Sequence, residues 1–236
     1  MRLDNYLVQN GYFESRNRAQ EALKAGLVSV NSKVITKASF KVSDDALVKV
    51  AEHKFYISRA AKKLEEYLKE FSLPIGGAKC LDVGSSTGGF SQILLEFGAK
   101  SVACVDVGKE QLHSIIKNDA RVEVYEECDI RDFTSEAFDV IVSDVSFISL
   151  NLILESVDRL SKNNTTIALL FKPQFEVGKS AKRDSKGVVV DKEAISKVKE
   201  IFLDNTKKLN WKLIDRRDSK ISGKEGNIEE FFTFKK

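Results

Sequence analysis

The sequence predicts an α/β protein, with a doubly wound, mostly parallel sheet preceded by a small α+β module. From about Pro74 onward, apolar strand candidates alternate with amphipathic helical segments, which is typical of a parallel sheet. Residues 1–50 instead contain two short helical patterns followed by short strand candidates. At 236 residues, 42% hydrophobic and 31% charged, the chain can form one ordinary domain and a small second one, and disordered and fibrous classes are excluded.

Charge is distributed unevenly, although the formal net charge is only +3. Residues 1–60 carry ten Lys and Arg against six Asp and Glu, a net charge of +4. The remaining residues, 61–236, carry 28 Lys and Arg against 29 Asp and Glu. A basic segment beside a nearly neutral domain favours a small polyanion-binding module next to a catalytic or binding domain. Chance variation of surface charge is the alternative interpretation.

Cysteines, histidines and apolar runs exclude several classes of protein. Three cysteines spaced 24 residues apart fit no disulfide framework, and with only two histidines no metal site is expected. The longest uncharged stretch, residues 83–95, is shorter than the roughly 18 apolar residues of a membrane helix. The charged N-terminus does not resemble a signal peptide. We therefore expect a cytoplasmic protein without a membrane partner.

The first module is predicted to begin with two helices and to continue with short strands. Leu3, Tyr6 and Leu7 form the apolar face of the first helix, and Ser15 can cap the second. Gly26 lies where a glycine commonly ends a helix. Short strands are then expected at residues 27–30, 34–35 and 46–50.

Several motifs of this module resemble the S4-like RNA-binding domain. They are Arg-Leu-Asp at 2–4, Ser-Arg at 15–16, Gly-Leu-Val-Ser-Val-Asn at 26–31 and Val-Ile-Thr-Lys at 34–37. The resemblance implies a module that docks structured RNA through its second helix and the following loop, with basic side chains on phosphates. Solvated helix faces are the alternative for these side chains. The residues expected to contact RNA are Arg2, Arg16, Arg18, Lys24, Lys33 and Lys37.

A glycine-rich turn is expected to join the first strand of the second domain, residues 78–83, to a helix. Glycines there let a ligand approach the backbone, and Asp106, after the second strand at residues 101–105, can bind a ribose diol. The turn lacks the G-x-G-x-x-G spacing of dinucleotide folds and the Gly-Lys-Ser/Thr of phosphate-binding loops. A dinucleotide site and a purely structural turn are the alternatives. The turn is Gly84-Ser85-Ser86-Thr87-Gly88-Gly89-Phe90.

This part of the sequence resembles an S-adenosylmethionine site, because its motifs follow in the order Asp82-x-Gly84-x-x-x-Gly88-Gly89-Phe90, then Asp106, then Asp129-Ile130. The resemblance implies that Asp82 lies near the methionine amino group, that Asp106 binds the ribose and that Asp129 binds the adenine amino group. A sulfonium cofactor has no phosphates, so carboxylates without lysines suit it better than a dinucleotide. We therefore expect S-adenosyl-L-methionine in a Rossmann-like, seven-stranded class I methyltransferase domain. The expected cofactor-binding residues are Asp82, Gly84, Ser86, Gly88, Gly89, Phe90, Asp106, Val107, Asp129 and Ile130.

Two further strands are expected to end in charged residues at the edge of the sheet where ligands bind in such folds. Asp144 follows the strand at residues 139–143, and Lys172 follows the strand at residues 166–171. A lysine at a buried strand end beside other cations holds its proton weakly, so Lys172 is the candidate general base.

Lys63 and Glu229 complete a set of four with Asp144 and Lys172. This set resembles the Lys-Asp-Lys-Glu residues of FtsJ-like ribose 2′-O-methyltransferases. The resemblance rests on four motifs that occur in the same order: Ser-Arg-Ala-x-x-Lys-Leu, Ser-Asp, Leu-Phe-Lys-Pro and Gly-Asn-Ile-Glu. The resemblance implies that Lys172 accepts the proton of a ribose hydroxyl. Asp144 and Lys63 would orient the reacting groups, and Glu229 would hold Lys63. Glu230 directly follows Glu229 and is the alternative fourth member of the set, for which we prefer Glu229.

Other residues near these motifs are candidates for contacts with the substrate. A helix expected to be capped by Ser58 carries Arg59 and Lys62, both expected to contact RNA. A polar loop at residues 178–187 is either a solvated loop or a lid that contacts RNA. Phe147, Phe171 and Phe175 are candidates for stacking on a flipped base. For Phe171, packing in the core is favoured instead.

The whole chain resembles the TlyA family, in which an S4-like module precedes an FtsJ-like domain. The two domains are expected at residues 1–50 and 58–236, with a short linker at residues 51–57. The resemblance implies 2′-O-methylation of a cytidine in rRNA, with rRNA or a ribosomal subunit as the partner. Because the chain starts at Arg-Leu-Asp and ends soon after its last predicted strand, we expect the short type and 23S rather than 16S rRNA. A base N-methyltransferase and a non-catalytic RNA-binding or haemolysin-like protein are the alternatives.

Overall fold

The chain divides into two compact units, residues 1–55 and residues 56–236. The computed structural model describes residues 1–43, 45–51 and 54–236. The predicted linker, residues 51–57, falls at this division and includes Glu52 and His53, which lie outside the described residues. The linker and the domain boundaries therefore stay predictions.

The first unit consists of two short helices and a small antiparallel sheet. Ser15 caps the second helix by accepting a hydrogen bond from the backbone N–H of Arg18. Leu3, Leu7 and Leu23 are fully buried between the helices and the sheet. The elements are α1 (Leu3–Gln9), α2 (Arg16–Lys24), β1 (Val28–Val30), β2 (Lys33–Val34) and β3 (Val48–Val50), with the strands in the order β2-β1-β3.

The second unit is built on a seven-stranded, mostly parallel sheet, which confirms the predicted fold class. The strand order is β6-β5-β4-β7-β8-β10-β9; the first five strands are parallel, and β10 is antiparallel to both of its neighbours. The strands are β4 (Lys79–Val83), β5 (Ser101–Val105), β6 (Val122–Tyr125), β7 (Phe138–Ser143), β8 (Ser161–Phe171), β9 (Lys212–Asp218) and β10 (Glu230–Lys235).

Helices cover both faces of this sheet. Successive strand side chains point to opposite faces, and accordingly Cys80 and Val102 pack in one apolar cluster while Leu81 and Ala103 pack in the other. Burial on both faces accounts for the apolar runs at residues 140–142 and 167–171, which are fully buried. The helices are α3 (Arg59–Glu70), α4 (Gly89–Glu96), α5 (Ser114–Lys117), α6 (Leu154–Arg159), α7 (Pro173–Glu176) and α8 (Lys192–Lys208).

None of the helices among the described residues combines the length and apolar character needed to cross a bilayer. In the same part of the chain, no group of three or more His, Cys, Asp or Glu side chains could hold a metal ion. The three cysteines are free thiols, and Cys80 and Cys104 are buried.

Candidate active site

Two adjoining cavities lie at the carboxyl ends of the parallel strands, where ligands bind in open α/β sheets. Their volumes are about 850 Å³ and 520 Å³. Gly84, which follows β4, and Asp144, which follows β7, line both cavities. Lys172, which follows β8, lines the first cavity, and Asp106, which follows β5, lines the second.

The glycine turn between β4 and α4 is tightly packed against its neighbours. Gly84 has a φ of +77°, and a Cβ there would lie 2.9 Å from Cγ1 of Val145. A Cβ on Gly89 would collide with Oγ of Ser58 and lie 2.9 Å from the backbone nitrogen of Ala61. The missing side chains therefore leave room for the walls of the first cavity.

Asp82 lies at the bottom of the first cavity and is fully buried. Its Oδ2 accepts a hydrogen bond of 2.6 Å from Ser91 Oγ, whereas none of the described residues donates to Oδ1. Burial raises the pKa of the Asp82 carboxyl to about 7, although the hydrogen bond from Ser91 opposes this shift. A buried carboxylate with an unused acceptor suits a ligand that brings an ammonium group.

Asp106 lines the second cavity and organises the turn around it. Its Oδ2 accepts from the backbone N–H of Ser86 at 2.8 Å, and its Oδ1 accepts from that of Gly108 at 2.7 Å. The carboxylate therefore fixes both loops that border this cavity, and its remaining lone pairs are available to a diol.

The predicted adenine site also lies in the second cavity. Asp129, Ile130 and Val107 line it together. Arg131 holds Asp129 by an ion pair of 2.6 Å, and its hydrogen bonds lower the pKa of the Asp129 carboxyl. Three donors from Arg131 already occupy this carboxylate, which leaves about one of its four acceptor positions for a ligand.

Lys172 and Asp144 form the first of two ion pairs in the first cavity. Nζ of Lys172 lies 2.8 Å from Asp144 Oδ1 and donates hydrogen bonds to Ser146 Oγ at 2.8 Å and to the Asp144 carbonyl at 3.2 Å. Both side chains are largely buried, with 7% and 12% exposed. Lys172 was predicted to lie beside other cations; Lys63, Arg183 and Lys186 line the same cavity, and the direct partner of Lys172 is the Asp144 carboxylate.

Lys63 and Glu229 form the second ion pair, at 2.6 Å between Nζ and Oε2. Gln174 donates to the other carboxylate oxygen, Oε1, at 3.0 Å. Glu230 instead pairs with Lys199 and Arg216. Because neighbouring side chains of an extended segment point to opposite sides, Glu229 and not Glu230 contacts Lys63. The catalytic roles of the four residues stay predictions.

The short segment from Lys172 to Glu176 connects several parts of the site. Phe175 packs against Phe147 with ring centroids 5.0 Å apart, and Glu176 accepts hydrogen bonds from the Ser149 hydroxyl and the Leu150 backbone. Phe147 is 91% exposed and has a φ of +65°, which is unusual for an aromatic residue. Phe171 lies fully buried in the core, as favoured from the sequence.

Ser58 was missed as a site residue. It occupies the predicted N-cap position of α3, but its side chain makes no capping hydrogen bond. Its Oγ is instead buried against Gly89 in the first cavity, and none of the described residues is its hydrogen-bond partner. The signal that could have found it is the Ser-Arg-Ala motif, which places Ser58 five residues before Lys63.

The predicted RNA contacts of this unit are Arg59 and Lys62, of which Arg59 lines the first cavity. Arg59 is exposed and donates to the Ser222 carbonyl at 2.8 Å. Lys62 is exposed and lies over the Tyr56 ring. From the loop at residues 178–187, Arg183 and Lys186 line the cavity. Whether this loop contacts RNA stays a prediction.

The predicted RNA contacts of the first unit differ in their surroundings. Arg2 and Arg16 hydrogen-bond the fully buried Asp4, which Gln20 also contacts, and these bonds hold the pKa of the Asp4 carboxyl well below its usual range. Both arginines therefore stabilise the fold, although each is exposed. Arg18 is partly exposed and pairs with Glu21. The lysines Lys24, Lys33 and Lys37 are exposed.

The sheet order, the glycine turn and the acidic strand ends define a methyltransferase fold. Residues 56–236 match the model of the FtsJ-like methyltransferase family, and residues 1–48 match that of the S4 domain. The chain is 41% identical to the 23S rRNA (cytidine-2′-O)-methyltransferase TlyA of Campylobacter jejuni over 99% of both chains. It is 36% identical to the 16S/23S rRNA (cytidine-2′-O)-methyltransferase TlyA of Mycobacterium tuberculosis, over 98% of this chain and 88% of that protein. The chain therefore belongs to the TlyA family of FtsJ-like methyltransferases.

Other relatives carry a different name. The chain is 38% identical to Hemolysin A of Brachyspira hyodysenteriae over 97% of both chains. A solved structure of a presumed hemolysin from Streptococcus thermophilus matches with a TM-score of 0.73 and 34% identity, covering 100% of this chain and 88% of that one. The methyltransferase and hemolysin names thus occur on relatives of similar identity.

Proposed function

We propose that this chain transfers the methyl group of S-adenosyl-L-methionine to the ribose 2′-hydroxyl of a cytidine in rRNA. The observation that carries the proposal is that both buried ion pairs, Lys172–Asp144 and Lys63–Glu229, line the cavity that contains Asp82 and the glycine turn. The names of the Campylobacter and Mycobacterium relatives support the substrate. Since 23S rRNA occurs in both names, we favour the large subunit.

The residues of the two cavities fit the proposed cofactor. Asp82 Oδ1 and Ser58 Oγ are buried polar atoms without a partner among the described residues, and they suit the ammonium and carboxylate of a methionine moiety. Asp106 and Asp129 line the adjoining cavity and suit the ribose and the adenine. When bound, the cofactor supplies an electrophilic methyl group on a sulfonium sulfur.

Lys172 is assigned the role of proton acceptor. A ribose hydroxyl is a poor acid, so its proton must be removed while its oxygen is held in line with the methyl carbon. Lys172 would accept this proton only after its ammonium form has released one to solvent, and the bound cofactor would supply the methyl group to the ribose oxygen. The proton taken from the hydroxyl would thus restore the ammonium of Lys172, whose Nζ lies 2.8 Å from Asp144 Oδ1. Asp144 therefore stabilises a charge that develops during the reaction.

Lys63 is assigned to the orientation of the hydroxyl. Its ammonium can donate to a ribose oxygen only if its direction is fixed, and the 2.6 Å contact with Glu229 fixes it. Phe147 and Phe175 offer exposed aromatic surface beside the ion pairs, on which a flipped base can stack. The first unit is proposed to dock the RNA through its exposed lysines.

The experiment that tests the proposal is a nucleotide-resolution map of 2′-O-methylation in both rRNAs, from cells with and without the gene. We expect one cytidine, in 23S rRNA, to lose its ribose methyl group without the gene and to regain it when the gene is restored. A methyl group on a base would instead identify a base N-methyltransferase. Identical maps would overturn the assignment as an rRNA methyltransferase and favour a non-catalytic protein.

A further inference from the structure

The amide of Gln174 has a fixed orientation in the first cavity. Its Nε2 donates to Glu229 Oε1 at 3.0 Å, and its backbone carbonyl accepts from Arg183 Nη2 at 3.1 Å. Since an ionised carboxylate only accepts hydrogen bonds, the NH₂ group of Gln174 must face Glu229. Its Oε1 therefore faces the other way.

That oxygen is buried, and none of the described residues donates to it. A buried acceptor without a donor is unfavourable, and such groups in native proteins commonly serve a ligand. Gly223 packs closely behind the pair, since a Cβ there would lie 2.8 Å from Glu229 Oε1 and 3.4 Å from Gln174 Nε2. Because Gln174 is held in this way, its Oε1 is preorganised for a donor that arrives with the substrate.

We propose that Gln174 couples the position of Glu229 to recognition of the target base. Its Nε2 fixes the carboxylate that holds Lys63, and its Oε1 accepts a hydrogen bond from an amino group on the Watson–Crick edge of the base. The inference rests on the proposed function, because it requires a flipped nucleotide in this cavity.

The aromatic residues beside Gln174 support a base as the donor. Phe175 is its neighbour in the chain, and the Phe175 and Phe147 rings lie 5.0 Å apart on the wall of the same cavity. Flipped bases are read by stacking together with hydrogen bonds to the Watson–Crick edge. Cytosine presents an amino group there, whereas uracil presents a carbonyl oxygen that would face the acceptor of Gln174.

Two variants separate the two roles of Gln174. Gln174→Met has a similar volume but lacks both the donor and the acceptor. Gln174→Glu keeps an acceptor towards the substrate but places a second carboxylate against Glu229. Both should lower kcat about 10- to 100-fold, since each loses a hydrogen bond to a charged group. Only Gln174→Met should lower the preference for cytidine over uridine, by roughly tenfold or more.

The test uses the full chain and subunits from cells whose rRNA carries cytidine or uridine at the position that the methylation map identifies. Rates are compared for the two nucleotides, and melting temperatures establish that each variant folds. The kcat of Gln174→Glu relative to that of the unmodified protein should recover as the pH falls, because two adjacent carboxylates then share a proton.

The outcomes distinguish this inference from the proposed function. If the unmodified protein methylates neither substrate, the proposed function fails. If it methylates cytidine and uridine equally well, or if Gln174→Met retains the cytidine preference, base recognition by Gln174 is refuted. A kcat that is unchanged in both variants would refute its positioning of Glu229.

Discussion

Replacing Lys172 with alanine tests the proposed proton acceptor. Loss of a positioned general base lowers a rate by about 10²- to 10⁴-fold. The change also leaves Asp144, of which 12% is exposed, without its partner, and breaking a largely buried pair costs about 3 kcal/mol of folding free energy. Lys172→Ala is therefore expected to abolish detectable transfer and to lower the melting temperature, while RNA affinity changes no more than a few-fold.

The assay must separate lost chemistry from lost stability. Transfer of a radiolabelled methyl group to subunits from cells lacking the gene gives the rate, and fluorescence anisotropy gives RNA affinity. Lys199→Ala is the matched control, because Lys199 also pairs with a buried glutamate, Glu230, but does not line either cavity. It should lose less stability, because Arg216 also pairs with Glu230, and should retain transfer at a temperature where both variants are folded.

The double variant Lys172→Ala/Asp144→Ala refines the comparison. Removing both charges abolishes the unpaired carboxylate, so much of the lost stability should return. Transfer should stay absent, since the proton acceptor is still missing. If Lys172→Ala transfers methyl groups at the rate of the unmodified protein, or if the double variant regains transfer with its stability, Lys172 is not the base.

Other substitutions test cofactor binding, packing and stacking. Because the pKa of Asp82 is raised to about 7 and an ammonium ligand favours its ionised form, cofactor affinity measured by calorimetry should fall about tenfold from pH 8 to pH 6, but stay nearly constant in Asp82→Asn. The folded chain also binds that proton more tightly than the unfolded one, so Asp82 contributes progressively less stability as the pH rises from about 4 to about 7. Gly89→Ala should lower the melting temperature and cofactor affinity through its collision with Ser58, whereas Gly178→Ala, with no described atom within 4 Å, should change neither. Phe147→Asn should keep the free energy of unfolding, because the ring is exposed and asparagine tolerates a positive φ, and lose transfer; equal transfer rates would contradict a stacking role.

The central strands could be predicted because their burial follows from local composition. The strand Ser101–Val105 has the predicted bounds, and Phe138–Ser143 begins one residue before the prediction. The strand Lys212–Asp218 was not predicted. It contains five charged residues and lies at the edge of the sheet, where β10 is its one partner among the described strands. Neither alternation nor an apolar run therefore marks it in the sequence. Its strand conformation depends on a partner distant in sequence.

The site was predictable in its residue types and less so in its contacts. The strand ends placed Asp144 and Lys172 at one edge of the sheet, but only the structure shows that they are paired. Ser58 shows the same limit, because a capping rule considers only the adjacent helix. The missing Cβ of Gly89, 31 residues later in the chain, leaves the space that its hydroxyl occupies. Contacts between distant segments thus decide the role of a side chain that local rules assign otherwise.

The two ion pairs serve different stages of the proposed reaction. Lys63 takes no part in the proposed proton transfer, so its contact with Glu229 is the same before and after the reaction and acts by fixing a direction. Lys172 gains a proton in the proposed step, so its attraction to Asp144 is strongest after the transfer. Interactions that strengthen towards the transition state increase kcat, whereas those that stay constant do not. We therefore expect Asp144→Asn to lower kcat with little effect on KM, because the amide keeps the size of the side chain but not its charge. A change confined to KM would show that Asp144 acts in substrate binding instead.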